Sequence, residues 1–202
     1  MQQIGFMGGS FNPVHIGHVK LARAALDKGC VEKVLFLPTG NPPHKRSGLA
    51  DKLDRLEMVR LAIQGETDMD VCREEVDREG VIYTVDTLGI LKEKMPDCDF
   101  SYIIGADSLC QLHTWKKPEV LITRCRFLVV MRPGEAENET LEAARYWREK
   151  GADIEFLNMP PMDISSTDIR RRVKEGLEIG SLVPAGVAQY IAEHGLYGAD
   201  GE

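Results

Sequence analysis

The chain has 202 residues, 43% of them hydrophobic and 28% charged, and a formal net charge of −7. That length can bury a sizeable core in one domain. The acidic balance argues against non-specific nucleic-acid binding, which needs a basic face. Five scattered cysteines, Cys30, Cys72, Cys98, Cys110 and Cys125, include no C-x-x-C pair. They suit a reducing cytoplasm and argue against a disulfide scaffold or a zinc site. No N-terminal stretch joins a basic start to an apolar h-region, and no apolar run approaches the ~20 residues that span a bilayer.

The first predicted element is a strand over 3–7, followed directly by Gly8-Gly9-Ser10-Phe11-Asn12-Pro13-Val14-His15-Ile16-Gly17-His18. Gly8 and Gly9 lack Cβ and let backbone amides approach a ligand closely. A helix predicted over 15–28 aims its free N–H groups and positive dipole end at the same spot. His15 and His18 are three apart, so on a helix they share one face, and each can donate to a phosphate oxygen. The segment reads either as a phosphate site or as an ordinary structural turn. No third metal ligand lies at useful spacing, and Gly5-x-x-Gly8-Gly9 does not match the dinucleotide fingerprint G-x-G-x-x-G.

Strands are next predicted over 33–37, 69–72, 100–104, 126–131 and 153–157, several as continuous apolar runs suited to burial on both faces. Helices are predicted over 53–64, 84–94, 118–123, 140–150, 166–174 and 184–194. In the second helix Leu56, Val59 and Ile63 form an apolar stripe. The last helix has Pro184 at its start and Gly195 just past its end. The irregular stretch over 39–49 carries His44, Lys45 and Arg46, and reads either as a ligand-closing element or as a solvent-exposed basic loop. This alternation predicts an α/β fold, a doubly wound parallel sheet with helices on both faces, in a single domain over 1–202 without repeats or linkers. Ligands then bind beyond the carboxyl ends of the strands, at the topological switch point. Gly105 and Asp107, after the 100–104 strand, should face the first motif. Asp107 suits a ribose hydroxyl or, equally, a helix N-cap.

Near the far end stands Ile164-Ser165-Ser166-Thr167-Asp168-Ile169-Arg170-Arg171-Arg172. A serine N-cap, free amides and Arg170 one turn on make either a second anion site or an ordinary capped helix with a basic face.

Together the two segments resemble the nucleotidylyltransferase superfamily with its HxGH motif. Gly9-Ser10-Phe11-Asn12-Pro13-x-His15-x-Gly17-His18 is similar to its first signature, and Ile164-Ser165-Ser166-Thr167-x-Ile169-Arg170 to its second. Pro42-Pro43-His44-Lys45, the run from Glu79 to Leu88, and Ile103-Ile104-Gly105-Ala106-Asp107-Ser108 with Trp115 after it narrow the likeness to bacterial nicotinate-nucleotide adenylyltransferases. Asn12 departs from the Asp that many bacterial members carry.

The resemblance implies a Rossmann-like fold and transfer of the adenylyl group of ATP to nicotinate mononucleotide, with release of pyrophosphate. Gly8, Gly9, Ser10, Phe11, His15, His18, Gly105, Asp107, Ser165, Ser166, Thr167 and Arg170 would bind ATP. His15, His18, Lys45 and Arg170 would carry the catalytic role. Ser10, Lys45, Tyr83, Thr84, Trp115 and Arg132 would meet nicotinate mononucleotide, with free amides at the Thr84 helix start facing the pyridine carboxylate. From its residue type alone Trp115 reads as a partly buried core aromatic, and Arg132 as an exposed strand-end residue. Mg²⁺ would arrive with ATP, without a protein cage. The implied partners are these small molecules, with no nucleic acid and no membrane, in the cytoplasm; self-association is left open.

Overall fold

The computed structural model describes residues 1–40, 48–131, 137–160 and 162–198. Along the chain run β1 (Gln2–Gly9), α1 (Ile16–Asp27), β2 (Lys33–Pro38), α2 (Lys52–Ala62), β3 (Met69–Val71), α3 (Thr84–Lys94) and β4 (Cys98–Gly105). Then follow α4 (Ala106–Cys110), α5 (Pro118–Ile122), β5 (Arg126–Met131), α6 (Glu137–Glu149), β6 (Ile154–Asn158), α7 (Ser166–Lys174) and α8 (Ala185–Glu193). Every predicted strand and helix coincides with one of these. The short α4 is additional, and α6 begins at Glu137, where Glu137 and Glu139 suit the positive end of the helix.

The strands form one parallel six-stranded sheet in the order β3-β2-β1-β4-β5-β6, the doubly wound order. The order reverses between β1 and β4, whose register pairs Ile4 with Phe100 and Phe6 with Tyr102.

Two corrections concern the first motif. Gly8 and Gly9 are the last residues of β1 and not part of a turn. The reversal falls at Phe11, whose φ of 45° lies in the left-handed region. Helix α1 opens at Ile16, so His15 precedes it instead of starting it.

By contact density the chain forms two compact units. The first comprises Met1–Met7, Leu21–Leu35 and Tyr83–Met162, and the second Gly8–Lys20, Phe36–Ile82 and Asp163–Glu202. In the first, the Phe6 and Tyr102 rings stack at 4.3 Å. Phe127, Leu128 and Val129 of β5 are fully buried, as are Leu88 and Leu91 of α3. Each such side chain contributes about 1.5–3 kcal/mol of burial energy. Gly5 is required by packing, because a Cβ there would sit 3.0 Å from Ile103 Cδ1 and 3.2 Å from Val31 Cγ2.

In the second unit α2 packs on α8. Leu56, Val59 and Ile63 are buried, as their stripe predicts, together with Met58. Pro184 is the N-cap of α8, one residue ahead of its expected place. Gly195, at φ +60°, ends the helix in a Schellman motif, with Leu196 N–H donating to Ile191 O and Gly195 N–H to Ala192 O. The chain then brings Tyr197 to Asn12, where its hydroxyl donates to Oδ1 at 2.7 Å. Tyr190 of α8 donates to Asp54 of α2 at 2.9 Å.

Gly40, just after β2, is also sterically fixed: a Cβ there would lie 2.0 Å from the Glu75 carbonyl oxygen. At Gly105 a Cβ would meet open space. Gly40→Ala should therefore cost more than the ~1–3 kcal/mol of ordinary overpacking, lowering Tm by more than about 4 °C. Gly105→Ala should leave Tm unchanged. Calorimetry checks the pair, and equal Tm values would contradict this packing.

Burial, reinforced by the Asp54 hydrogen bond, pushes the Tyr190 phenol up to about 12 from its ordinary 10.0. Burial likewise lifts Tyr197 well above that value, against the opposing pull of Arg170 and Arg55. The folded state thus favours the neutral phenols. The stability they contribute is complete below pH 10.0 and is lost as pH rises through about 12 for Tyr190. Urea midpoints measured between pH 9 and 11 should fall less steeply for Tyr197→Phe than for the wild type. Parallel alkaline limbs would refute the assignment.

Candidate active site

The first motif is assembled at the carboxyl end of β1, as the doubly wound order requires. His15 and His18 hold each other in place across the start of α1. His15 N–H donates to His18 Nδ1 at 3.2 Å, and His18 N–H donates to His15 O at 2.9 Å. The first of these bonds is the half of a capping box in which the N3 side chain reaches back, with His in the place of Glu; the second is made by a backbone carbonyl. Because Nδ1 accepts, the proton of a neutral His18 ring sits on Nε2. The two imidazoles stack at 3.7 Å, and Phe11 stands edge-on to His18 at 5.1 Å. His15 is 6% exposed and Phe11 2%. The Phe11 ring therefore supports His18 from beneath and offers a ligand no surface, whereas Gly8 and Ser10 are exposed.

The helix start presents fewer amides than the sequence suggests. Ile16 N–H donates to Leu182 O at 3.0 Å, and the His15 and His18 amides serve the cap just described.

The second motif docks on the backbone of the first. Ser166 Oγ donates to Pro13 O at 2.9 Å, and Arg170 Nη1 donates to Asn12 O at 2.8 Å. Arg170 Nη2 also reaches Thr167 Oγ1 at 3.3 Å. Ser165 is the N-cap of α7, its Oγ accepting from Asp168 N–H at 3.1 Å. The Ser166 hydroxyl proton is thus committed to Pro13 O, whereas Ser165 Oγ accepts and keeps its own proton to donate. What α7 can present to an anion is its first amides, the Ser165 hydroxyl and the remaining donors of Arg170.

The neighbouring arginines are spent elsewhere. Asp168 takes Arg171 at 2.5 Å and Arg172 at 2.8 Å, and these bonds, Arg171 first, hold its carboxyl below the usual range. Arg171 also pairs with Glu175 at 2.6 Å. Of the three consecutive arginines, Arg170 is the one aimed at the first motif.

Asn12 anchors the same turn from its side chain. Its Nδ2 donates to Gly48 O at 2.9 Å, and its Oδ1 accepts from Ala50 N–H at 3.1 Å and from Tyr197. Arg55, 1% exposed, donates to Ser10 O at 2.7 Å, Thr39 O at 2.7 Å, Gly40 O at 3.1 Å and Ala50 O at 3.0 Å. An arginine in a helix ordinarily reads as solvated, whereas Arg55 is buried. The signal was its spacing: Arg55, Met58 and Val59 follow i, i+3, i+4 and share the buried face of α2.

The first unit holds the other expected residues. Thr84 opens α3, and Tyr83, its N-cap, makes no side-chain capping bond. Lys116 Nζ pairs with Asp86 at 2.9 Å and lies 4.2 Å from the Tyr83 ring centroid, which sets a cation beside this helix start. Lys116 directly follows Trp115, and nothing in its local sequence marks it as a partner of this helix start. The Trp115 ring is half-buried, 5.7 Å from Tyr102. Gly105 is the N-cap of α4, and Asp107 is exposed in its first turn, so the N-cap reading of Asp107 gives way to Gly105. Lys45 and Arg132 lie outside the described residues. Among the described residues no three His, Cys, Asp or Glu side chains group so as to hold a metal ion. No helix among them is long and apolar enough to cross a membrane.

Comparison with known proteins places the chain in a family. The cytidylyltransferase-like family model matches residues 6–172. The probable nicotinate-nucleotide adenylyltransferase of Neisseria meningitidis serogroup B is 38% identical over 200 residues, covering 98% of this chain and 99% of that protein. Its counterpart in Exiguobacterium sibiricum is 42% identical over 195 residues, covering 96% and 98%. The fold matches that of Plasmodium falciparum nicotinic acid mononucleotide adenylyltransferase, solved with NaAD, at a TM-score of 0.80 and 19% identity over 98% of each chain. With both signatures joined on one turn and relatives of this identity aligned over nearly its full length, the chain belongs to the nicotinate-nucleotide adenylyltransferase family, within the cytidylyltransferase-like proteins.

Proposed function

We propose that this chain transfers the adenylyl group of ATP to nicotinate mononucleotide in the cytoplasm, as a step of NAD biosynthesis. A phosphate oxygen of the mononucleotide attacks the α-phosphorus of ATP in line. A new P–O bond forms, the bond from the α-phosphorus to the bridging oxygen breaks, and pyrophosphate leaves with that oxygen. The nucleophile is already ionised, so catalysis consists of positioning and charge stabilisation.

The observation that carries this reading is the pair of hydrogen bonds from Ser166 and Arg170 to Pro13 O and Asn12 O. They join the two segments that this reading assigns to phosphate binding, which supports their holding one triphosphate. In this reading His15 and His18 stabilise charge developing at the α-phosphate, with Gly8, Gly9, Ser10 and Phe11 lining it through their backbone. The α7 amides at Ser165, Ser166 and Thr167, with Arg170, hold the departing phosphates, and Lys45 adds a further cation. Gly105 and Asp107 meet the nucleoside. Thr84, Tyr83 and Trp115 receive the pyridine carboxylate and ring, joined by Lys116, while Ser10, Lys45 and Arg132 contact the mononucleotide phosphate. Mg²⁺ enters as part of the nucleotide substrate, bound by its phosphate oxygens. The family match runs through segments of both units, which supports treating residues 1–202 as one catalytic domain.

Pyrophosphate release with ATP and nicotinate mononucleotide tests the reading, and no turnover would overturn it. Losing one preorganised donor to a developing oxyanion costs about 2.7–4 kcal/mol. His18→Ala should therefore lower kcat about a hundredfold or more in a folded protein. Arg170→Ala should raise KM for ATP far more than KM for the mononucleotide, and Arg170→Lys should restore it in part, since Lys makes no forked contact. Wild-type kcat in His18→Ala, or equal KM increases in Arg170→Ala, would remove these roles.

The acid should be preferred over nicotinamide mononucleotide, because uncapped amides and Lys116 favour an anion. Stacking on an aromatic side chain is worth roughly 1–3 kcal/mol. Trp115→Ala should then raise KM for the mononucleotide about tenfold with little effect on ATP. A Trp115→Ala protein that loses stability but keeps this KM would make Trp115 a core residue.

A further inference from the structure

Arg55 takes no part in the chemistry above, yet its guanidinium donates four hydrogen bonds to main-chain carbonyls. Parallel strands present carbonyl oxygens as well as amides at their carboxyl ends. Beside a triphosphate the amides attract and the carbonyls repel. Arg55 takes up the carbonyls: Ser10 O follows β1, and Thr39 O and Gly40 O follow β2. Its Nε closes the arrangement on Ala50 O, just ahead of α2. The same two strand ends are joined directly by Thr39 N–H donating to Gly9 O at 2.9 Å.

We propose that Arg55 is a positioning residue for adenylyl transfer. Its buried guanidinium masks the carbonyl ends of β1 and β2 and fixes the backbone from which the first motif meets the triphosphate. The inference rests on the adenylyl-transfer reading above. Three features carry it. All four hydrogen-bond acceptors of Arg55 named here are main-chain carbonyls, so its charge is not consumed by a bonded carboxylate. The acid near it is Asp51, whose Oδ1 caps α2 by accepting from Leu53 N–H at 2.8 Å. The side chain is 1% exposed, so little water screens its field. The acceptors also diverge from one planar fork, a geometry that the single ammonium of Lys cannot reproduce. Burial pulls the guanidinium below its ordinary range, while the hydrogen bonds to carbonyl oxygens favour its charged form.

A merely structural arginine would move stability alone, so the test reads ligand binding and turnover per folded molecule. Arg55→Lys and Arg55→Gln are prepared alone and combined with His18→Ala. ATP affinity is measured by calorimetry without mononucleotide, and kcat with both substrates, at a temperature where circular dichroism shows the native fold. Arg55→Lys should lose at least about tenfold in ATP affinity, and Arg55→Gln more, from the charge-assisted bonds removed. In the double variant with His18→Ala the losses in kcat should be clearly less than multiplicative, because Arg55 acts through the turn that carries His18. Variants that lose Tm but bind ATP within about twofold of wild type, or strictly multiplicative losses, would overturn the proposal. So would failure of both single variants to fold at any temperature, which would make Arg55 a folding determinant. ATP binding needs no turnover. A wild-type protein that binds ATP but transfers nothing would sink the adenylyl-transfer reading while the Arg55 comparison still stood on affinity.

Discussion

Asn12 and Pro13 offer two adjacent carbonyl oxygens to donors 158 and 153 residues further along the chain, Arg170 and Ser166. Closing so long a loop has a high entropic cost, and a pair of hydrogen bonds does not meet it alone. The rest of the second unit makes the closure possible. Helices α2 and α8 bury their apolar faces together, and the Schellman ending of α8 at Gly195 turns the chain so that Tyr197 reaches Asn12. The turn is held on its main chain by α7, and on its side chain by Gly48, Ala50 and Tyr197. That convergence also accounts for asparagine here. Its Nδ2 donates to Gly48 O while Oδ1 accepts twice. An aspartate could keep the two accepted bonds and would leave the Gly48 carbonyl without its donor.

The second theme is how donors are spent. Near an anion site each N–H either faces the ligand or satisfies the protein. Here the amides of His15, Ile16 and His18 and the hydroxyl of Ser166 serve the protein. Arg171 and Arg172 serve Asp168. Beyond these stand the first amides of α7, the Ser165 hydroxyl proton and the rest of the Arg170 fork. Arg55 removes competing acceptors from the same neighbourhood. Under the adenylyl-transfer proposal a polyanion meets a small set of preorganised donors, the arrangement in which electrostatic stabilisation of a transition state is strongest.

Much of this was legible in the sequence, for identifiable reasons. Continuous apolar runs such as Arg126–Met131 and the stripe Leu56, Val59 and Ile63 report burial directly, so the strands and α2 followed from pattern alone. The two signatures are local in sequence and recognisable by resemblance. Less legible was anything decided by tertiary geometry. Gly8 and Gly9 look like a turn but finish β1, because the reversal is borne by Phe11 at positive φ. His15 looks helical but precedes α1, since its amide is taken by His18. Arg55 looks solvated but is buried, because its partners lie at Ser10 and at Thr39 and Gly40, 45, 16 and 15 residues away. Lys116 acquires meaning only once Asp86 and Tyr83 are brought beside it.

The claim on which all else depends is that the first motif and α7 bind one triphosphate together. Amide hydrogen exchange followed by mass spectrometry, with ATP alone and with mononucleotide alone, tests it most directly. The account predicts that ATP slows exchange in both 8–20 and 165–176, in the same concentration range, and that mononucleotide alone does not reproduce this joint protection. Protection confined to one of the two segments, or appearing in them at separate ATP concentrations, would contradict it.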